Sequence, residues 1–260
     1  MKPVKLSIAL AVALLATPFV SFAQEAEAPA AEEEASSPFS ATFAVTSDYV
    51  FRGVSQTDEG PAFQAGVTYS APFGLYAGIW GSNVDFGDPD PEAGIRGPNY
   101  ELDYFVGWNK DLSDAWNLDL GVTRYAYEDD SRFYGNINYN EYIAKLTWSG
   151  PVTIGGILAY ADDYGNADIE EVYSGLSASY DIGESGFSLG ATTGYTSLEY
   201  PSDGGRVDYF DGSVTLSKSF GPATATVGYY DTFGSDADEL KDGSDIYDDR
   251  VAVTITVAVP

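Results

Sequence analysis

The chain contains neither cysteine nor histidine among its 260 residues. Without cysteine it forms no disulfide, and without histidine it lacks the commonest general base and the commonest zinc ligand. A hydrolase of the Ser-His-Asp type is therefore excluded. Beyond the first 23 residues, no stretch approaches the roughly 20 apolar residues that a membrane-spanning helix requires. If the chain enters a membrane, it does so with strands.

Basic residues are also scarce. The chain has 12 lysines and arginines against 40 acidic residues, which gives a formal net charge of −28. A nucleic-acid partner is excluded, because phosphates require a protein surface of the opposite sign.

The first 23 residues have the pattern of a secretory signal peptide. Lys2 and Lys5 form a basic start, residues 7–20 are apolar, and residues 21–23 form a small-x-small exit. Removal of this segment leaves 10 basic and 40 acidic residues in a chain of about 237. That length fits one all-β domain.

From residue 39 onward, segments of about ten residues alternate apolar with polar or small side chains. Twelve strands are predicted, at 39–50, 62–71, 74–86, 99–110, 115–127, 140–149, 151–162, 170–181, 186–198, 206–219, 222–232 and 249–259. Five short connections rich in turn formers alternate with six mostly longer ones that are acidic and rich in Gly and Pro. An even number of alternating strands joined in this way is typical of an outer-membrane barrel.

The predicted organisation has three parts. Residues 1–23 are a signal peptide, residues 24–38 are a disordered acidic tail in the periplasm, and residues 39–260 form the barrel. The fold class is all-β: a single antiparallel transmembrane β-barrel of about 12 strands, with short periplasmic turns and long acidic extracellular loops. The predicted location is the outer membrane.

Aromatic residues concentrate near the ends of the predicted strands. Three tryptophans lie close to short turns: Trp108, Trp116 and Trp148. A second group lies near the long loops: Tyr49, Phe51, Tyr125, Tyr127, Tyr164, Tyr195, Tyr200 and Phe233. Because amphipathic rings favour water–lipid boundaries, the two groups predict aromatic girdles at both ends of a spanning barrel. They argue against a soluble lipocalin-like binder.

The stretch SDYVFRGVSQT at residues 47–57 resembles the opening signature of the TorF family of porin-like proteins. The resemblance continues through residues 61–69 and 74–86, and it includes the segments 101–103 and 107–108. It implies a Gram-negative outer-membrane barrel with pore activity, and it assigns no role to any residue. Outer-membrane barrels commonly end in an aromatic residue that the assembly machinery reads, whereas this chain ends in Val-Ala-Val-Pro.

If the apolar side chains face lipid, a set of charged residues faces the lumen. This predicted pore-lining set consists of Glu101, Asp103, Asp119, Glu141, Lys145 and Glu171. Acidic linings favour cations, because a charge in a narrow aqueous tube repels ions of its own sign. Alternatively, the carboxylates pair with Lys145, Arg52 or backbone groups and plug the interior, since a barrel of this size is narrow enough for side chains to fill it.

Two further charged residues, Asp48 and Arg52, fall on the inward phase of the first predicted strand. They form either a constriction at the pore mouth or an anchor for the first long loop, and the anchor is favoured. Arg124 falls on the lipid-facing phase near the outer rim, where it could meet lipopolysaccharide phosphates.

No metal, cofactor or enzymatic activity is predicted. The acidic stretches 88–92 and 236–245 offer carboxylates for calcium, but neither has EF-hand spacing, and solvated loops are the favoured interpretation. Glu101 and Asp103 lie about 7 Å apart on one strand face and have the chemistry for glycoside cleavage, yet solvation of a lumen explains them better.

The predicted function is passive diffusion of small solutes or cations through a net-acidic lumen of a porin-like channel. The alternative is a plugged structural or adhesive barrel that acts through its acidic loops. The expected partners are outer-membrane lipid and lipopolysaccharide, the barrel assembly machinery, and small solutes or ions.

Overall fold

The computed structural model describes residues 37–86, 97–128, 136–201, 204–234 and 236–260. Within them, twelve strands form one closed antiparallel barrel, which confirms the predicted fold. The barrel strands are β1 (Phe39–Thr46), β4 (Ala62–Ser70), β5 (Leu75–Asn83), β6 (Tyr100–Asp111), β7 (Trp116–Glu128), β8 (Tyr139–Trp148), β9 (Thr153–Ala161), β10 (Glu170–Asp181), β11 (Phe187–Tyr200), β12 (Gly205–Phe220), β13 (Ala223–Phe233) and β14 (Arg250–Val259). Two short strands, β2 (Val50–Phe51) and β3 (Val54–Ser55), form a separate hairpin in the first loop. The predicted signal peptide and the predicted tail up to residue 36 lie outside the described residues.

Each barrel strand pairs with its neighbours in the chain, and β1 pairs with β14 to close the barrel. At this seam, Ala41 lies opposite Val259 and Thr46 lies opposite Thr254. Closure gives every barrel strand a hydrogen-bonding neighbour on both sides, which is the condition for strands to be stable in hydrocarbon. Both ends of the described chain lie at the end of the barrel that carries the short turns, here called the turn end; the opposite end is called the loop end.

The large apolar side chains cover the outside of the barrel. Phe63, Leu158 and Val214 are 67%, 62% and 60% exposed, whereas the charged side chain of Glu141 is completely buried. This is the reverse of a soluble barrel, and it agrees with the phase predicted from the alternation. In β5, where both faces carry apolar residues, Tyr76 and Trp80 turn inward.

The prediction for the aromatic residues is confirmed at the turn end and partly wrong at the loop end. Trp116 is exposed on the outer surface near a short turn, and Phe187 and Phe220 are exposed near other short turns at the same end. At the loop end, however, five predicted girdle residues pack in the interior: Tyr49, Phe51, Tyr125, Tyr127 and Tyr164. Tyr125 and Tyr127 lie inward because they share the lumen-facing phase of β7 with Asp119. Tyr49 and Phe51 lie inward because they belong to the first loop, which folds into the bore. The exposed rings at that end are mainly Tyr100, Tyr104, Tyr142, Tyr160, Phe210 and Phe233.

The last loop contains a short helix, α1 (Ala237–Gly243), which the sequence did not predict. Asp238 and Glu239 lie in its first turn, where negative charge is favourable beside the helix N-terminus. Ala237 and Leu240 pack against Val54 of the first loop. The last loop thus covers the first loop. No helix in the described ranges is long and apolar enough to cross a membrane.

Candidate functional site in the barrel interior

The first loop folds inward instead of continuing the first strand. The strand β1 ends at Thr46, so the prediction that it reaches residue 50 with Asp48 and Arg52 on its inward phase is wrong. Both residues belong to the loop, in which β2 and β3 form a hairpin over residues 50–55, here called the inner hairpin. Alternation alone could not reveal this end, because the loop residues continue to alternate while they pack against the interior.

The turn of the inner hairpin is formed by Arg52 and Gly53, with φ angles of +49° and +82°. Two positive φ values are characteristic of the type I′ turn that two-residue hairpins favour. A Cβ atom on Gly53 would lie 2.7 Å from Thr232 Cγ2 and 2.9 Å from Asp211 Cβ. Glycine is therefore required twice, for its backbone conformation and for the close approach to β12 and β13.

Arg52 extends from this turn to the opposite wall. Its Nη2 donates a hydrogen bond to Glu141 Oε1 on β8 over 2.6 Å, and its Nη1 donates one to Glu171 Oε1 on β10 over 2.9 Å. The guanidinium also lies over the ring of Tyr173, 4.1 Å from the centroid. Burial by itself lowers the pKa of the Arg52 guanidinium, but the two carboxylates outweigh it, so the pKa is raised and the group stays charged.

Aromatic side chains complete the surroundings of these carboxylates. Tyr125 donates a hydrogen bond to Glu141 Oε2 over 3.1 Å and stacks on Tyr139 at a centroid distance of 4.7 Å. Tyr164 packs on Tyr139 in turn, at 4.8 Å. Burial raises the pKa of the Tyr164 phenol, and the Glu171 carboxylate raises it further. The Tyr164 phenol therefore remains neutral beside a charged centre.

The loop also reaches the wall formed by β5 and β6. Tyr49 donates a hydrogen bond to Glu101 Oε1 over 3.3 Å and meets the ring of Trp80 edge-on, with the centroids 5.5 Å apart. Because Gly53 touches β12 and β13, the first loop spans the bore at the loop end.

Asp48 fastens the base of this loop. Its Oδ1 accepts hydrogen bonds from Ser55 Oγ at 2.6 Å and Thr57 Oγ1 at 3.1 Å, and its Oδ2 accepts one from Arg250 Nη1 at 3.1 Å. Arg250 was not among the predicted site residues, since nothing in the sequence pairs it with a residue so distant in the chain.

Glu101 and Asp103 lie side by side on the inner face of β6, each only 2% exposed. Glu101 Oε2, Asp103 Oδ1 and Glu171 Oε2 accept no hydrogen bond from a donor group among the described residues. The carboxyl groups of Glu101 and Asp103 lie close enough to interact with each other, and Asp211 lies beside the Tyr173 hydroxyl. Asp211 is a further inward carboxylate that the sequence reasoning missed. Its position among Tyr209, Ser213 and Thr215 on the inward phase of β12 was the signal that could have identified it.

Asp119 and Lys145 lie nearer the turn end. Asp119 accepts hydrogen bonds from Tyr76 Oη at 2.8 Å and from Asn109 Nδ2 at 3.1 Å. Lys145 is directly opposite Asp119 in the β7–β8 register, but no ion pair within the described ranges includes it. The structure thus brings Arg52, Glu141 and Glu171 together and leaves these two residues at another level of the lumen.

The remainder of the inner wall is rich in hydroxyl groups and poor in charge. Hydroxyl pairs link neighbouring strands: Thr192 with Ser213 at 2.7 Å, Ser217 with Thr226 at 2.9 Å, and Thr46 with Thr254 at 2.8 Å. The lumen therefore has two unlike halves, one acidic and aromatic over β5–β10 and one lined with hydroxyls over β11–β14 and β1.

The described residues contain no group of three or more His, Cys, Asp or Glu side chains placed to hold a metal ion. The stretch 236–245, which was weighed for calcium, largely forms α1. The other acidic stretch, 88–92, lies outside the described residues.

The fold is that of porin-type β-barrels. The KdgM porin is similar, with a TM-score of 0.55 at 7% identity, and the match covers 85% of this chain and 99% of that one. The KdgM porin in complex with disordered oligogalacturonate gives a TM-score of 0.52 at 7% identity, and the NanC porin gives 0.50 at 12%, both with the same coverage. At such identities the likeness shows the fold alone.

The chain belongs to the bacterial family Gcw_chp, described as a bacterial protein of unknown function, whose sequence model matches residues 30–259. No curated protein matches the chain. The resemblance to the TorF family stays a prediction.

Proposed function

We propose that this protein is a porin-like channel of the outer membrane, through which small solutes diffuse passively and cations pass in preference to anions. The observation that carries the proposal is the charge of the inner wall. Six buried carboxylates face the lumen: Glu101, Asp103, Asp119, Glu141, Glu171 and Asp211. Among the described residues they are opposed there mainly by Arg52 and Lys145, so anions are repelled more strongly than cations.

The inner hairpin provides the filter in this proposal. It narrows the loop end, where Arg52 and its partners occupy one side of the bore. A solute that passes this level meets carboxylates and phenols on one side and hydroxyl groups on the other, and these replace part of its hydration. Solutes are then selected by both size and charge at the level of the inner hairpin.

Single-channel recording in planar bilayers tests the proposal. Refolded protein in a salt gradient is expected to give conductance steps with a reversal potential of cation-selective sign. The double substitution Glu101→Gln with Asp103→Asn should move the reversal potential toward zero. Glu199→Gln is the matched control, because Glu199 is an exposed carboxylate at the end of β11. Insertion without conductance would reject a channel.

A plugged structural barrel is the second candidate. The specific observation that favours it is the buried ion-pair centre, in which the side chain of Arg52 is 7% exposed. Reversing the charges of Glu101 and Asp103 separates the candidates, because only a conducting lumen changes its ion selectivity.

Oligogalacturonate, the compound in the KdgM complex, is a polyanion. The acidic lumen supports a different class of solute for this chain.

The proposed location rests on the outer surface. A band of exposed aliphatic side chains with aromatic rings near both ends suits a bilayer, and lipid is its proposed partner. Arg124 points outward from β7 and donates a hydrogen bond to Asn140, so lipopolysaccharide phosphate is a proposed contact at the loop end. Interaction with the barrel assembly machinery is proposed despite the missing terminal aromatic residue.

A further inference from the structure

We propose that the compartment occupied by the Arg52 guanidinium is a binding site for guanidinium-bearing organic cations, and that Arg52 is a tethered occupant which such a solute displaces. This deepens the proposed channel function by naming a solute class, and it rests on that function only for the route by which the solute arrives. The compartment is defined by Glu141, Glu171 and Tyr173.

The compartment has the features that recognise a guanidinium group. Glu141 and Glu171, from two different strands, bind two nitrogens of one planar cation at 2.6 and 2.9 Å. The face of Tyr173 lies 4.1 Å from the guanidinium carbon. Charge-assisted hydrogen bonds to a planar fork, combined with an aromatic face, favour guanidinium over sodium or a simple ammonium. A small solute with the same group presents the same atoms.

Arg52 does not satisfy all the negative charge around it. Besides its two partners Glu141 and Glu171, Asp211 lies within electrostatic range of the Arg52 guanidinium, and Glu171 Oε2 is buried without a hydrogen-bond partner in the described part of the chain. Asp103 lies within electrostatic range of both Glu101 and Glu141. Buried carboxylates are costly unless they are paired. A solute with a second positive group compensates more of this charge than the single guanidinium of Arg52 does.

The connection between Arg52 and the barrel makes displacement feasible. The inner hairpin consists of two residue pairs, Val50 with Ser55 and Phe51 with Val54, and it forms a sheet separate from the barrel. Glu141, Glu171 and Tyr173 belong to barrel strands. When the hairpin withdraws, the site remains assembled on the wall and the bore is widened. Binding of the solute and opening of the channel are therefore coupled.

The position of the hairpin can be followed with a single thiol, because the chain has no cysteine of its own. Val54 is 9% exposed and packs against Tyr209 and the last loop. In detergent-solubilised Val54→Cys, a maleimide should react slowly, and agmatine, which carries a guanidinium and an amine, should speed the reaction at least about tenfold. Sodium chloride at equal ionic strength and galacturonate should not. Fast labelling without agmatine, or no effect of agmatine, would overturn the proposal.

Agmatine binding, measured by calorimetry on full-length refolded protein, gives an independent test. Arg52→Gln should tighten agmatine binding at least about tenfold. The substitution removes the arginine side chain, which competes with agmatine and fills the site in most molecules of the wild-type protein. Adding Glu141→Gln and Glu171→Gln to that variant should abolish binding, whereas adding Glu199→Gln should leave it unchanged. Binding that weakens in Arg52→Gln, or survives loss of both carboxylates, contradicts the inference.

The two proposals can fail separately. If the protein binds agmatine as described but gives no conductance, the binding-site proposal stands and the channel proposal is rejected. If it conducts but shows neither agmatine binding nor faster labelling, the channel proposal stands and the binding-site proposal is rejected. The Val54→Cys variant keeps Arg52, so its result stands even where Arg52→Gln does not refold.

Discussion

Arg250 Nη1 donates a hydrogen bond to Asp48 Oδ2 over 3.1 Å, although the two residues are 202 positions apart in the chain. Both side chains are buried. Arg250 also donates hydrogen bonds to the backbone carbonyls of Asp245 and Asp248. One guanidinium at the start of β14 therefore joins the base of the first loop to the last loop, beside the seam that closes the barrel.

Replacing Arg250 by glutamine should loosen the first loop and leave the barrel intact. Removing one partner of a buried ion pair costs about 3–5 kcal/mol, and here that cost falls on the loop. Hydrogen exchange should become faster at the amides of residues 49–57, with protection in β4–β13 unchanged. Arg206→Gln is the control, since Arg206 is half exposed and pairs with the exposed Glu199 and the partly exposed Asp208. Uniform loss of protection in the strands would show that Arg250 supports the barrel instead.

Replacing Gly53 by alanine should expel the inner hairpin. Alanine there has both an unfavourable φ and a collision with Thr232 and Asp211. We expect a larger single-channel conductance, with less dependence on agmatine. Gly204→Ala is a matched control, because Gly204 also has a positive φ, +73°, but nothing lies within 4 Å of its added Cβ. Equal conductance in the two variants would show that the hairpin does not limit the pore.

The strands were predictable from the sequence because each barrel strand has one face in lipid and one in the lumen. Phe63, Val67 and Tyr69 in β4 show this alternation, and their exposure follows it. The inner hairpin was not predictable in this way. Residues 48–55 pack on the inside with both of their faces, so their alternation has no lipid-facing side. Arg-Gly is also not among the residue pairs that typically mark a two-residue hairpin, although Gly53 suits the positive φ of this turn.

The alternation along each strand predicts which side chains of the candidate site face the lumen, but not which of them contact one another. The six residues of the predicted pore-lining set lie on the inward phase of their strands; five of them are buried, and Lys145 lies opposite Asp119 in the β7–β8 register. Which of them bind Arg52 depends on the insertion of the first loop. Arg52 is separated from Glu141 by 89 positions in the chain and from Glu171 by 119. The inward rings of Tyr125 and Tyr139 follow from phase, because they share the lumen-facing sides of β7 and β8 with Asp119 and Glu141.

Replacing Gly107 by alanine should destabilise the barrel at the turn end. An added Cβ would overlap the ring of Tyr76, whose hydroxyl donates a hydrogen bond to Asp119. Overpacking of this kind costs about 1–3 kcal/mol. Urea unfolding in micelles, followed by tryptophan fluorescence, should show the loss. Gly156→Ala should be close to neutral, because its added Cβ lies 3.8 Å from Leu176. A Gly107 variant as stable as wild type would mean that Tyr76 moves aside freely.

Replacing Lys145 by methionine should increase cation preference. Lys145 faces Asp119 across the β7–β8 register and is an inward cation that engages in none of the ion pairs of the described chain. Its removal leaves the acidic wall less opposed, so the reversal potential should move further toward the cation limit. Lys218→Met serves as the control, since Lys218 lies over the ring of Phe187 near a turn. An unchanged reversal potential would place Lys145 outside the conduction path.

Thiol labelling in whole cells tests the orientation of the barrel. Asp242 is exposed in α1 at the loop end, and Asp114 is exposed in the turn between β6 and β7. With Asp242→Cys in the outer membrane of a Gram-negative host, a bulky membrane-impermeant maleimide should react in intact cells. With Asp114→Cys it should react only after the cells are permeabilised, because the turn end faces the periplasm in this orientation. The reverse labelling pattern would show that the barrel has the opposite orientation. Recovery of both variants in the soluble periplasmic fraction would contradict membrane insertion, since the exposed Phe63, Leu158 and Val214 would then lie in water.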